Sequence, residues 1–579
     1  MKPIKIVYSL LFIVFFITAC SKKLVEEPRS LLTADFFKTA DGVKSGLDAA
    51  YAGTRLFWGN QDYFTVTVIG TDEFRRGIDG NSDINVYSSG YTPSTGVVNA
   101  NWRNAYIFIN TCNGVIDNAP NVELNVAFTE QDRKRMIAEA KFLRANYYFI
   151  LVQFFADVTI NKNFQTTATT SAKRDPIGAV YDFILQDMQE ALPDLYNGPV
   201  SSVLPGKATK AAALHLLAKI YLTRAGSAAA KPTDFADAYN TAKNLIDNKA
   251  FYGLNLLQDF GKVYEEGNET NSEVIWSVQH TANLAYNGPN NSGVANFSAD
   301  NVLNHMWVPQ YERQPGMVRS TQYGRPYIRC IPTRWLVDQA FKEKVNDTRY
   351  HKTFQTVWYA NNPDPAGYPK WPDPLPAGAP ANAVAGQPKF AFGDTAIYMP
   401  GVDVTDAQIA ASRYLLIPPR KYSNALSPAM FKYFDTKRLN LNFPSIRPVI
   451  AYRLAETYLI AAEAAFRIGN LPEAVAYINT IRGRAAYPSG DPVAMRIAEA
   501  DLSIDFILTE RSRELCGELV RWLDLVRTGK LIERVTANNP EAAPNIQPKH
   551  VLRPIPQAQL DAVTTGESYN NGVYFPDWN

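Results

Sequence analysis

The chain is poor in the residues that most motif-borne chemistry requires. Its 579 residues include 5 His and 4 Cys. The histidines (His215, His280, His305, His351 and His550) share no metal-ligand spacing, and no HExxH, CxxC or nucleophile-elbow motif occurs. Zinc hydrolases, dithiol redox proteins and serine hydrolases are therefore not indicated, and no cofactor or metal is expected. Pro205-Gly206-Lys207 lacks the first glycine of a phosphate loop, and Ala208 stands where that loop needs a hydroxyl. An excess of one charge is also missing. With 58 Lys+Arg against 56 Asp+Glu, the net charge of +2 predicts no nucleic-acid partner. Cys112, Cys330 and Cys516 lie far apart and read as packed thiols rather than a disulfide framework. Asp79, Asn81, Asp83 and Asn85 alternate as calcium ligands do, but Ile84 occupies the position of the turn glycine and Gly90 that of the closing glutamate.

Aromatic residues, by contrast, are abundant: 12% of the chain, with 31 Tyr. They fill cores, and they also offer flat faces on which ligands stack. Helical periodicity is the other strong signal. Arg447–Ala486 reads as two helices joined by Gly469-Asn470, with Pro472 in the first turn of the second. Small residues at Ala461 and Ala465 face large ones at Tyr458 and Tyr477, the alternation of a tetratricopeptide-like pair. One pair cannot bury its own apolar face, so neighbours of the same kind are implied. Further helices are expected at Leu31–Tyr51, Trp102–Asn118, Glu130–Phe155, Pro176–Leu192, Ala208–Thr223, Ala238–Asn248 and Ile507–Thr528. In the last, Glu510 with Arg513, Glu518 with Arg521 and Asp524 with Arg527 have the spacing of ion pairs.

Two stretches break this texture. Residues 57–99 are rich in Gly, Asn, Asp and Ser and read as an aromatic-bearing loop. Residues 255–440 are rich in Pro and Gly, with Glu273–Gln279 alternating as a strand, and read as an inserted loop-rich mixed α/β subdomain. The expected fold is thus mainly α: a tetratricopeptide-like helix-pair superhelix carrying that insertion. At the amino terminus, Lys2 and Lys5 precede the apolar run Ile6–Ile17, which is too short to cross a bilayer comfortably. Ile17-Thr18-Ala19-Cys20 follows in the manner of a lipobox. Residues 1–19 are read as a lipoprotein signal, Cys20 as the acylated residue, and 20–30 as a polar tether.

Taken in order, these motifs resemble the SusD/RagB family of outer-membrane nutrient-binding lipoproteins of Bacteroidetes-type bacteria. Those carrying the resemblance are the lipobox, Trp102–Tyr106 with Asn110, Glu139–Ala145 with Tyr147–Phe149, Ala208–Ala212 with Leu217–Leu222, Arg453–Glu456 to Ala485, Glu510–Leu525 and Leu552–Pro556. Phe154–Thr159 lacks the usual Gly and Pro, and Tyr569–Gly572 departs from the customary ending. The resemblance implies a helical scaffold over 31–254 and 441–579, a non-catalytic surface protein on the outer membrane, and a SusC-like TonB-dependent barrel as partner. It further implies capture of an oligomeric nutrient, most often a glycan, whose apolar ring faces stack on aromatics while Asn, Asp, Gln and Arg bind its hydroxyls. Tyr87, Tyr91, Trp307, Tyr311 and Tyr323, from the loops at 57–99 and 285–329, are the expected stacking residues. A peptide-binding homologue and a protein-interaction scaffold remain open. So does a glycosidase, which needs only two carboxylates.

Overall fold

The protein is described from a computed structural model, which covers residues 36–283 and 299–569. Cys20 with its flanking signal and tether lies outside these described residues. The fold is mainly helical, with small scattered sheets. On the amino-terminal side lie α1 (Ala40–Gly53), α2 (Gln61–Val68), β1 (Phe74–Arg76), α3 (Ser82–Val86), α4 (Gly96–Asn118), α5 (Glu130–Phe155), α6 (Ile177–Ala191), α7 (Lys210–Ala225) and α8 (Asp234–Asp247). Each of the long helices packs on the next in the succession α1, α4, α5, α6, and α7 pairs with α8.

Helix α5 sits at the centre. Thr129 and Asp132 cap its start reciprocally, satisfying two of its orphan amides. From Ala138 to Phe155 nearly every side chain is buried, so the helix is covered on all sides rather than along one stripe. Its polar groups are paired accordingly. Glu139 accepts from the Tyr51 hydroxyl at 2.6 Å, and Arg144 makes a bidentate pair with Asp187 at 2.7 and 2.8 Å.

The span 57–99 is less irregular than its composition predicts. Asn60 caps α2, accepting from the Asp62 amide at 2.6 Å, and Phe64, Val66 and Val68 of that helix are buried. Its Thr-Val-Thr-Val run disfavours helix on propensity, and tertiary burial overrides that preference.

Beyond α8, β2 (Val274–Val278) and β3 (Cys330–Pro332) precede a three-stranded sheet of β4 (Val357–Tyr359), β5 (Thr395–Tyr398) and β6 (Leu415–Leu416). This stretch has its own core, in which Tyr311, Tyr323, Trp358, Tyr368, Phe390 and Ile397 pack together. The chain then enters β7 (Val449–Arg453), α9 (Leu454–Arg467), α10 (Leu471–Ala485), α11 (Ile504–Glu514) and α12 (Arg521–Arg527).

Residues 449–453, expected to begin a helix, instead form β7 and pair antiparallel with β2. The hairpin of α9 and α10 follows the sequence pattern closely. Gly469 takes φ +80°, Ala461 and Ala465 are fully buried, and Tyr458 meets Tyr477 edge-on at 5.8 Å. Helix α9 also packs against α8, which joins the carboxy-terminal helices to the amino-terminal set.

The helix expected at Ile507–Thr528 is broken into α11 and α12 by Gly517 (φ +73°) and Leu519 (φ +62°). The Glu510–Arg513 and Asp524–Arg527 pairs form, at 2.6 and 2.8 Å. The expected Glu518–Arg521 pair does not, because the break takes the two off a common face. Glu518 binds Lys432 and Arg453, and Arg521 binds Asp72 at 2.7 Å. No described helix is long and apolar enough to cross a membrane.

Candidate functional site

A short strand pairing brings together loops far apart in sequence. β1 pairs antiparallel with β3, setting Phe74 opposite Pro332 and Arg76 opposite Cys330. Past the strands the backbones stay in register: the Gly77 amide donates to the Arg329 carbonyl at 3.0 Å, and that of Asp79 to the Ile328 carbonyl at 3.2 Å. A Cβ on Gly77 would lie 2.2 Å from the Ile328 carbonyl oxygen, so only glycine permits this approach. A third segment joins when the Ile78 amide donates to the Asn424 carbonyl at 2.9 Å. The segments 77–81, 320–329 and 422–426 thus share one face.

That face mixes apolar and hydrogen-bonding groups. Ile78 is 51% exposed, and Asp79 is exposed beside it. Arg329 donates to the Gln61 side chain at 3.1 Å and to the Asp79 carbonyl. The guanidiniums of Arg325 and Arg329 lie 4.7 and 5.5 Å from the centroid of the Tyr327 ring. Arg75 bonds Asn424 and Glu541, while Asn85 accepts from the Arg76 amide and donates to Glu541 at 2.7 Å. Burial pushes the Asp62 carboxyl, next to Gln61, up to about 6 against the pull of Arg103.

A separate cleft of about 790 Å³ is lined by Tyr87, Ser88, Tyr91, Asn545, Gln547 and His550, among others. Tyr87 takes a left-handed backbone (φ 51°) as it closes α3, and its hydroxyl donates to the Gly70 carbonyl at 2.8 Å. The ring of His550 lies 4.9 Å from that of Tyr87 and stacks on Tyr91 at 6.0 Å. Burial, reinforced by Lys549 and Arg553, pulls His550 down to about 3, so the imidazole is neutral at physiological pH. The Tyr91 hydroxyl accepts from Arg553 at 3.0 Å.

Residues 264–572 match a model described as the SusD family, and residues 47–222 match a second, described as starch-binding associating with outer membrane. The chain belongs to the SusD family. Its relatives include SusD-like protein P2 of Formosa agariphila, 27% identical over 96% of this chain and 97% of that protein. A crystal structure of a SusD homolog from Bacteroides thetaiotaomicron superposes with a TM-score of 0.69 at 19% identity, covering 92% of this chain and 97% of the other. A laminarin binding SusD-like protein gives 0.64 at 22% identity, over 92% and 99%. SusD proteins are binding proteins, not enzymes, and associate with the outer membrane.

In this SusD chain the five aromatics expected to stack on ligand fall in three separate places. Tyr87 and Tyr91 are each 3% exposed and line the cleft. Trp307 lies in the main core, edge-on to Phe64 and Phe74 at 5.0 Å and stacked on Tyr433 at 5.9 Å. Tyr311 and Tyr323 pack edge-on at 5.4 Å in the core of the 255–440 region. Their hydroxyls hold loops: that of Tyr311 donates to the Gly324 carbonyl at 2.9 Å, and that of Tyr323 accepts from the Tyr359 amide at the same distance. Trp307, Tyr311 and Tyr323 therefore shape the loops from beneath and show no open ring face. Composition alone does not separate a buried aromatic from an exposed one.

The exposed rings near these loops are those of Tyr359 and Phe392. Tyr359 is 51% exposed, and Phe392 is 66% exposed in the segment whose Gly393 amide donates to the Ala360 carbonyl. The signal was present as alternation in β4, where Trp358 is fully buried and Tyr359 points out.

The two buried glutamates of α11 are committed to arginines. Glu510 is paired with Arg349, Arg482 and Arg513, and Glu514 with Arg349, Arg453 and Arg484. Three of the four alternating Asx residues of 79–85 are also occupied. Asn81 caps α3, Asp83 accepts from the Ser88 hydroxyl at 2.6 Å, and Asn85 accepts from the Arg76 amide.

Proposed function

We propose that this SusD protein is a lipid-anchored capture protein on the cell exterior. It would bind an oligosaccharide and pass it to a SusC-like TonB-dependent barrel in the outer membrane. In this reading residues 1–19 are removed, Cys20 is acylated, and 20–30 tether the body to the membrane. Residues 31–254 and 441–579 form one tetratricopeptide-like scaffold, its helix hairpins stacked as a superhelix, and 255–440 are carried as an insertion. The observation that supports it is the β1–β3 pairing, which fuses two loops onto a single face held by the helices. Such a face, with Ile78 for an apolar sugar surface and Arg325, Arg329 and Asp79 for hydroxyls, is preorganised and loses little entropy on binding. Tyr87 and Tyr91 are retained as ligand contacts in the lining of the other cleft, with Tyr359 and Phe392 as stacking faces.

Isothermal titration of the purified mature protein against a panel of oligosaccharides tests this. A ligand is expected whose affinity falls about tenfold in Tyr359→Ala, the weight of one aromatic stacking contact. Binding of peptides with no binding of any saccharide would favour the peptide-binding alternative. Cys20→Ala addresses the anchor: it should release the protein from the membrane fraction, and a membrane-bound variant would end the lipoprotein reading.

A further inference from the structure

Arg438 is 7% exposed. A buried guanidinium ordinarily sits against a carboxylate, because an uncompensated charge away from water is costly. Here, among the described residues, none pairs with it. Its Nη1 donates to His305 Nδ1 at 3.4 Å and to the Asn304 amide oxygen, and its Nε is buried with no acceptor. The carboxylate nearest in sequence, Asp435, is spent on the loop, accepting from the Ser445 hydroxyl at 2.8 Å and the Ile446 amide at 3.2 Å.

Glu266, the other carboxylate whose field reaches it, is engaged by Thr436, whose amide and hydroxyl donate to it at 2.8 and 2.9 Å. His305 donates from Nε2 to the Phe443 carbonyl at 3.0 Å, so its Nδ1 carries the lone pair that Arg438 uses and the ring is neutral. Burial first, and Arg438 and Arg325 after it, hold the imidazole well below its ordinary pKa. The opposite side of His305 leads to the loop face, because its ring lies 4.7 Å from that of Tyr327. Tyr327 is in turn the ring against which Arg325 and Arg329 rest. Burial raises the Tyr327 phenol, and Arg325, Arg329 and Arg438 all pull it back, with Asp300 opposing them. Two guanidiniums therefore rest against the Tyr327 ring, and the third lies behind it across His305.

We propose that this cluster of Arg325, Arg329 and Arg438 about Tyr327 and His305 binds an anionic substituent, so that the captured glycan is an acidic one carrying carboxylate or sulfate groups. Arginine suits either, since its planar fork matches both geometries. The inference rests on the glycan-capture reading, and its failure is separable from the failure of that reading.

Titration of the whole mature protein with oligouronates, sulfated oligosaccharides and neutral glucans of matched length tests it, and the first two arms tell carboxylate from sulfate. An acidic arm should bind at least about tenfold tighter than the neutral one, and weaken on raising salt from about 0.05 to about 0.5 M. Arg325→Gln should lose about tenfold for the acidic ligand. Arg438→Met supplies a readout that a purely structural arginine would not give: the melting temperature should hold or rise while acidic-ligand affinity falls. If neutral glucans bind as tightly as acidic ones, the anion site is wrong and glycan capture stands. If Arg438→Met fails to fold, Arg325→Gln decides, and undiminished acidic binding in that variant overturns the proposal. Absence of binding in all three arms removes the capture reading itself.

Discussion

Replacing Glu514 by glutamine keeps the shape of a fully buried side chain and removes its charge. Its carboxylate receives Arg349 at 3.0 Å, Arg453 at 2.6 Å and Arg484, and its carbonyl takes Lys432 at 3.1 Å and Arg453 at 2.7 Å. Burial alone would raise its pKa, but Arg484, Arg453 and Arg349 reverse that and hold it far below the usual carboxylate range. The cage ties the start of α9 to the end of α10 and the end of α11, with Glu273 shared between Arg453 and Arg484. Breaking one member of such a buried set costs about 3–5 kcal/mol, because the remaining charges lose their partner. With an unfolding entropy of about 2.1 cal/mol/K per residue and the described chain melting as one unit, each kcal/mol is worth about 1 °C, so Glu514→Gln should melt about 3–5 °C lower. Differential scanning calorimetry at neutral pH measures this, with Glu533→Gln as control. Glu533 pairs with Lys530 at 2.9 Å on the surface, and its loss should cost under about 0.5 kcal/mol. Equal melting temperatures for the two variants, or a more stable Glu514→Gln, would refute the assignment of the cage as what holds these helices together.

Burial pushes Glu73 up from 4.5 to about 7, with Arg521 pulling down and Asp72 pushing up. Between those values the folded chain holds a proton that the unfolded chain has released, so this residue's contribution to stability is lost as pH rises through that window. Glu73→Gln should flatten the decline and stabilise the protein above about pH 7 by up to about 3 kcal/mol, measured by urea unfolding across pH. Glu510 and Glu514 have the opposite sign. Arginine partners outweigh burial and depress both, so their contribution is present above the unfolded carboxylate range and lost in acid, and unfolding midpoints should fall below about pH 4.5. Gly77→Ala forces the two loops apart and should cost about 1–3 kcal/mol in denaturant melts together with a loss of saccharide affinity.

The helices were legible in the sequence because their apolar spacing and caps are local. Thr129 with Asp132 marks the start of α5, and Gly469-Asn470 marks the turn between α9 and α10. What was not legible depends on pairing across the chain. β7 runs without a break into α9, so its Val-Ile-Ala-Tyr-Arg reads as the start of that helix, although its β-branched and aromatic residues suit the strand that pairs with β2. Glu518 and Arg521 have helical spacing, but the left-handed residues at Gly517 and Leu519 separate them. The candidate site was half legible. Its two loops were identified from composition, and their meeting at Gly77 and Ile328 was not, because a contact between residues so far apart leaves no local periodicity. Trp307, Tyr311 and Tyr323 look like ligand platforms in a polar loop and prove to be its internal supports. Arg438 gave no sequence signal, since only its burial without a carboxylate distinguishes it.

Hydrogen exchange of the mature protein with and without a captured oligosaccharide tests the central claim most directly. Slowed exchange concentrated in residues 77–81, 320–329 and 422–426 is the predicted result. Protection confined to the α9–α10 hairpin, or to any surface remote from those three segments, would contradict it.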